Sequence, residues 1–152
     1  MPILVVDVDG DGLADLIVGN GHGYGLDWWR QGRDASGSRT WTRHEIDPDV
    51  SQCHTMRWID VNGDGQPELV TGKRWRAHPV GDAGNEDDLG IWYYTWDGEA
   101  FAKHVIDEGR PGFGSGVGID FDVADVTGNG YPDLIAPGKD GLWLFLNEGP
   151  DA

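Results

Sequence analysis

The chain has 152 residues, among them 25 glycines, eight tryptophans and one cysteine, with 38% hydrophobic residues and a formal net charge of −16. That charge excludes a nucleic-acid backbone as ligand, because phosphates need a basic surface, and a single cysteine excludes a disulfide within the chain. No apolar run approaches the ~18 residues of a membrane span, while the aromatic and aliphatic content suits one packed domain.

Glycine is more than twice its usual ~7%, which favours strands and turns over helices. Residues 3–8 read as a strand that enters Asp7-Val8-Asp9-Gly10-Asp11-Gly12-Leu13-Ala14-Asp15, and residues 15–19 read as the strand that leaves it. The opening residues have neither a basic region nor a cleavage site and do not read as a signal peptide. A glycine-rich loop follows at 20–25, then a third strand at 26–30 with Trp28 and Trp29, a polar turn at 31–38 and a fourth strand at 40–46. This first repeat spans 1–50. The second spans 51–109, with strands at 55–59, 68–72, 90–96 and 101–106 and a long connection at 73–88. Its segment Phe101-Ala102-Lys103-His104-Val105-Ile106-Asp107 matches Trp41-Thr42-Arg43-His44-Glu45-Ile46-Asp47 in residue type, so the repeating unit is a four-strand block. The third repeat spans 110–152, with strands at 119–124, 133–138 and 142–146 and no fourth strand. No helical stripe occurs. Solid apolar blocks such as Leu16-Ile17-Val18 are expected on strands covered on both faces.

The loop motif recurs as Asp60-Val61-Asn62-Gly63-Asp64-Gly65-Gln66-Pro67-Glu68 and as Asp125-Val126-Thr127-Gly128-Asn129-Gly130-Tyr131-Pro132-Asp133. Each copy carries side-chain oxygens at positions 1, 3, 5 and 9 and glycines at 4 and 6. A hard cation such as Ca2+ takes six to eight oxygens, and glycine permits the left-handed conformations of a tight loop. The candidate ligands are therefore Asp7, Asp9, Asp11 and Asp15; Asp60, Asn62, Asp64 and Glu68; and Asp125, Thr127, Asn129 and Asp133. By analogy with other calcium loops, Leu13, Gln66 and Tyr131 would offer backbone carbonyls. Up to three Ca2+ ions are expected, with affinity falling from first loop to third as carboxylates become fewer. For a single copy, a plain Asp-Gly hairpin turn explains the residues equally well. Position 12 holds Val18, Thr71 and Ala136 instead of glutamate, so the loops are not EF-hands.

Asp-x-Asp-Gly-Asp-Gly-x-x-Asp-Leu followed by an apolar run and a glycine closely resembles the FG-GAP/VCBS repeat, known from the calcium-binding blades of integrin α-subunit propellers and from secreted bacterial proteins. The resemblance implies an all-β fold of four-stranded antiparallel β-propeller blades, about three in this chain, and an extracellular or secreted setting. Propellers usually close with four to eight blades. The expected partners are thus further copies in a homo-oligomer or the remainder of a larger propeller. The function implied is a non-catalytic calcium-binding module for carbohydrate or protein binding, cell adhesion or self-assembly. The alternatives are a polysaccharide lyase or a structural fragment.

Connections between second and third strands differ most between repeats, and such loops tend to carry binding. They make His22, Tyr24, Arg74, Trp75, Arg76 and His78 the candidate ligand-binding residues. Aromatic and arginine side chains together suit a sugar ring or an acidic polysaccharide. The plainer reading has Trp75 covering an edge and the arginines balancing Glu86, Asp87 and Asp88. A lyase would need a base such as His22, His54 or His78, beside Tyr24 and Arg74 or Arg76. Trp28, Trp29, Trp92, Tyr93, Tyr94, Trp143 and Phe145 fall on equivalent strands and are expected in the core. His44 and His104 are expected to be structural, and Cys53 to be a small semi-buried residue.

Overall fold

The structure, a computed structural model, describes residues 1–76, 78, 80–139 and 141–149. Eleven strands and no helix occur among them, so none of these residues lies in a helix able to cross a membrane. Every sheet is an antiparallel meander in chain order. The first holds β1 (Ile3–Val6), β2 (Asp15–Gly19), β3 (Tyr24–Arg33) and β4 (Arg39–Ser51). The second holds β5 (Cys53–Ile59), β6 (Glu68–Lys73), β7 (Leu89–Trp96) and β8 (Phe101–Gly109). The third holds β9 (Asp122–Ala124), β10 (Asp133–Gly138) and β11 (Gly141–Phe145).

Strand boundaries differ from expectation where tertiary contacts intervene. Tyr24 and Gly25 belong to β3, and β4 continues to Ser51 across bulges at Tyr24/Leu26 and Leu26/Asp27. Residues 119–121 lie outside β9, because the preceding loop is drawn onto the second sheet. There Ser115 N–H donates to Asp107 Oδ2 at 2.7 Å and Val117 N–H to the Lys73 carbonyl at 3.0 Å.

The core lies between sheets, in two layers. Ile17, Leu26 and Trp28 of the first sheet pack with Met56, Leu69, Trp92 and Tyr94 of the second. Val70 and Ile91 of the second pack with Val117, Phe121, Leu134 and Ala136. Because successive strand side chains point to opposite faces, Leu69 and Val70 serve different layers, as do Ile91 and Trp92. That explains the solid apolar runs of β6 and β7. The same expectation fails for β2: Leu16 and Val18 are only half-buried, since no sheet among the described residues covers that face of the first sheet.

Polar links cross the first layer. Tyr94 O–H donates to Asp47 Oδ2 at 2.9 Å, and Lys103 pairs with the same oxygen at 3.1 Å. Trp28, Trp92 and Tyr94 are buried as expected. Trp143 is not: it is 43% exposed, because among the described residues the third sheet has no neighbour beyond it. His44 stacks on Trp28 at 4.7 Å and His104 on Tyr93 at 4.6 Å, each on its register partner, which supports a packing role for both. Cys53 is fully buried, more so than expected.

Candidate functional site

The three Asp/Gly loops are closed by the same strand register. Val6 pairs with Asp15, Ile59 with Glu68 and Ala124 with Asp133. Eight residues intervene each time, so these are not two-residue hairpin turns. Both glycines of each loop are left-handed: Gly10 and Gly12 (φ 71° and 85°), Gly63 and Gly65 (79° and 87°), Gly128 and Gly130 (77° and 92°). The first residue of each loop accepts the N–H of the second glycine at 2.9 Å, in Asp7–Gly12, Asp60–Gly65 and Asp125–Gly130. Position 5 accepts the N–H of position 7, in Asp11–Leu13, Asp64–Gln66 and Asn129–Tyr131. Position 9 is buried and accepts the N–H of position 2, in Asp15–Val8, Glu68–Val61 and Asp133–Val126.

Residues 7–71, spanning the first two loops and most of β6, match the FG-GAP-like repeat. The chain carries an FG-GAP-like repeat. The third loop lies outside the matched residues yet shares the geometry of the other two. No curated protein matches the chain.

The three loops differ in the oxygens they leave available. In the first, carboxylates of Asp7, Asp9 and Asp11 converge to within 4.8 Å, a donor set that suits a hard cation. Arg30 already lies against it, with Nε 2.5 Å from Asp9 Oδ2 and an Nη 3.5 Å from Asp11. Asp15 does not join this group. Its oxygens accept N–H groups from Val8 (3.2 Å), Trp28 Nε1 (2.9 Å) and Gln31 (2.8 Å), fastening the loop to β3. In the second loop Asp60, Asp64 and Glu68 converge, and the Asn62 amide donates to Asp64 and Glu68. Burial of Glu68 raises its pKa above the usual glutamate range. In the third loop Asp125 accepts N–H groups from Gly128, Asn129 and Gly130, which hold its pKa low, with the Gly130 bond the largest cause. Asp133 accepts from Val126, Thr127 and Asn147, and the Asn129 amide donates to the Asn147 carbonyl. The third loop has only two carboxylates, and among the described residues it has no group of three converging as in the first two.

A second cluster forms where two strand connections meet. His22, in the turn between β2 and β3, and His78, in the connection between β6 and β7, both place Nδ1 3.0 Å from Asp82 Oδ2. Their rings stack at 4.7 Å and 7°. The hydrogen bond from His22, supported by His78, lowers the Asp82 pKa. His54 meets His22 edge-on at 5.8 Å. Its pKa is lowered mainly by burial, and its buried Nδ1 has no partner among the described residues. Tyr24 faces Asp87, whose hydrogen bond raises the phenol pKa.

Asp82, Gln52 and Lys73 were not singled out from sequence. Gln52 is buried in a left-handed conformation (φ 55°) and holds both connections. Its N–H donates to the Gly23 carbonyl, its carbonyl accepts from Arg74 N–H, and its amide donates to Ala83 and Asn85. Buried Lys73 donates to Ser51 Oγ at 3.0 Å and to the Gly84 carbonyl. The only sequence signal for Asp82 was its place in an acidic run.

The remaining candidates lie beside this cluster. Arg76 pairs with Glu86 at 3.0 Å, as the charge-balancing reading expects, and its guanidinium lies 5.9 Å from the Trp75 ring. Arg74, Trp75, Asp120 and Lys139 line a cleft of about 320 Å³. Asp140, between the expected strands at 133–138 and 142–146, lies outside the described residues, as does Ala77 next to His78.

Proposed function

We propose that this chain supplies blades of a calcium-stabilised β-propeller that binds a ligand without transforming it. The observation that carries this is the loop geometry repeated three times, with carboxylates converging in two of the copies. Calcium held by the first and second loops would offset part of the −16 charge and pin each first strand to its second. At about 100 times its dissociation constant, an ion adds roughly 2.7 kcal/mol of stability per site. Such open, solvent-facing loops suit millimolar extracellular calcium.

The outer faces support a ring assembled from more than one such segment. Ile3 and Val5 on β1 are 57% and 62% exposed, and Leu142 and Leu144 on β11 are 73% and 53% exposed. Apolar faces of this kind are stable only against neighbouring blades. Between the second and third sheets an apolar cleft of about 350 Å³, lined by Tyr93, Ile106, Leu134 and Phe145, is suited to side chains of a fourth strand on the third sheet. Another copy or another part of a larger propeller would supply both. The ligand reading is a sugar chain seated on Trp75 between Arg74 and Lys139. The lyase alternative is weaker, since Arg76 is already neutralised by Glu86.

The test is native mass by light scattering in calcium and in chelator, with a glycan screen on the calcium form. A discrete calcium-dependent oligomer whose glycan binding is lost in Trp75→Ala is the expected result. A melting temperature indifferent to chelator would refute the calcium reading.

A further inference from the structure

We propose that His22, His78 and Asp82 form a site for a late first-row divalent transition-metal ion, typified by Zn2+, separate from the oxygen-only loops. Imidazole and carboxylate together select such metals, whereas calcium takes oxygen alone. Both imidazole Nδ1 atoms already converge on one carboxylate oxygen, each at 3.0 Å. Ligand atoms bonded to zinc at roughly 2.0–2.1 Å stand about 3.0–3.4 Å apart, so both Nδ1–Oδ2 spacings are close to those of a coordination shell, and all three atoms lie within 4.8 Å of one another. An ion at this point takes the place of the hydrogen bonds that now join the two Nδ1 atoms to Asp82.

The three ligands come from two connections and are held from behind. Gln52 ties the Gly23 and Arg74 backbones to the loop carrying Asp82, and the Asn85 amide donates to the His78 carbonyl at 3.0 Å. The Asn20 side chain accepts the His22 N–H at 3.2 Å. One adjustment is required. The rings stand parallel at 7°, so binding turns them about χ2 until their planes converge. That rotation is soft for histidine. His54 does not join the group of His22, His78 and Asp82, whose ligand atoms lie within 4.8 Å of one another. The histidine side chains are 42% and 58% exposed, which leaves room for water at the remaining positions. The ion would fasten a turn of the first sheet to a connection of the second.

The experiment is titration of the whole chain with Zn2+ by calorimetry in saturating calcium, and with Co2+ by visible absorption. One ion is expected at this site, with cobalt d–d bands of nitrogen–oxygen coordination. His78→Gln and Asp82→Asn should each weaken binding at least about tenfold, the loss that even an outer-shell partner causes. His44→Gln, on a histidine stacked elsewhere, should leave binding intact. His22→Gln, at an exposed ring, provides a second ligand variant, and all variants are checked for an unchanged melting temperature without metal. Absence of zinc binding up to millimolar concentration, or binding that His78→Gln and His22→Gln both leave unchanged, would overturn the site. Because calcium is saturating throughout, the result is independent of the calcium reading.

Discussion

Asp15 is the point at which the first loop is fastened to the core, and its replacement by asparagine tests that role. The carboxylate is fully buried and accepts three N–H groups, from Val8, Trp28 Nε1 and Gln31. Asparagine keeps the shape but turns one oxygen into a donor, so at least one of these N–H groups meets another N–H in a site closed to water. A buried donor left unpaired costs about 1–3 kcal/mol, and bonds to a charged acceptor contribute about 1.5–3 kcal/mol. The expected loss for Asp15→Asn is therefore about 2–4 kcal/mol, a large share of the ~5–15 kcal/mol that holds a domain together. With a urea slope of about 2 kcal/mol/M, the midpoint should fall by roughly 1–2 M. The assay is equilibrium unfolding in chelator, followed by tryptophan fluorescence, so that no bound ion contributes. Trp28→Phe removes one donor and leaves two bonds intact, so it should lose less, and the double variant should lose less than the sum of the singles. A midpoint for Asp15→Asn within about 0.2 M of wild type would mean that the carboxylate does not fasten the loop.

Removing the guanidinium in Arg30→Ala should tighten cation binding at the first loop several-fold, read by terbium luminescence; weaker binding would instead make Arg30 a support for the loop. Burial lowers the Lys73 pKa, so the folded state holds that proton less firmly than the unfolded chain does. Its contribution is therefore fully present above the ordinary lysine value of about 10.4 and is lost as pH falls through the folded value. Across pH 8 to 10.5 the wild-type urea midpoint should rise relative to Lys73→Met, and a constant difference would contradict this. Burial pushes the Cys53 thiol up to about 12. At pH 8 it should resist a disulfide reagent while folded and react on unfolding, since only the thiolate attacks; prompt labelling of the native protein would refute the burial.

Local features were legible because they depend on spacing along the chain. Two residue-type matches, the Asp/Gly loops and the Trp41/Phe101 segments, located the four-strand unit, and the register at Asp15, Glu68 and Asp133 repeats accordingly. Counting loop carboxylates ranked the loops but could not reveal that Arg30 occupies the first, or that Asp125 and Asp133 spend their oxygens on backbone N–H groups. Arg30 is brought in by β3 and the Asn147 N–H on Asp133 by residues after β11, while the other N–H groups on Asp125 and Asp133 come from the folded loop itself. His22 and His78 were separate candidates, 56 positions apart in sequence, and nothing in either segment indicated that they meet.

By itself, the sequence determined the strands, the three loops and the repeat, because alternation, glycine conformation and oxygen spacing act within a few residues. Tertiary structure alone decided which faces are covered. Leu16 and Leu69 look alike in sequence, yet only Leu69 lies between two sheets. It also decided that His22, His78 and Asp82 share one point, through Gln52, a buried left-handed residue whose hydrogen bonds join two connections. Side chains converge when sheets stack, and the stacking energy comes from apolar surfaces that carry no record of which loops they will bring together.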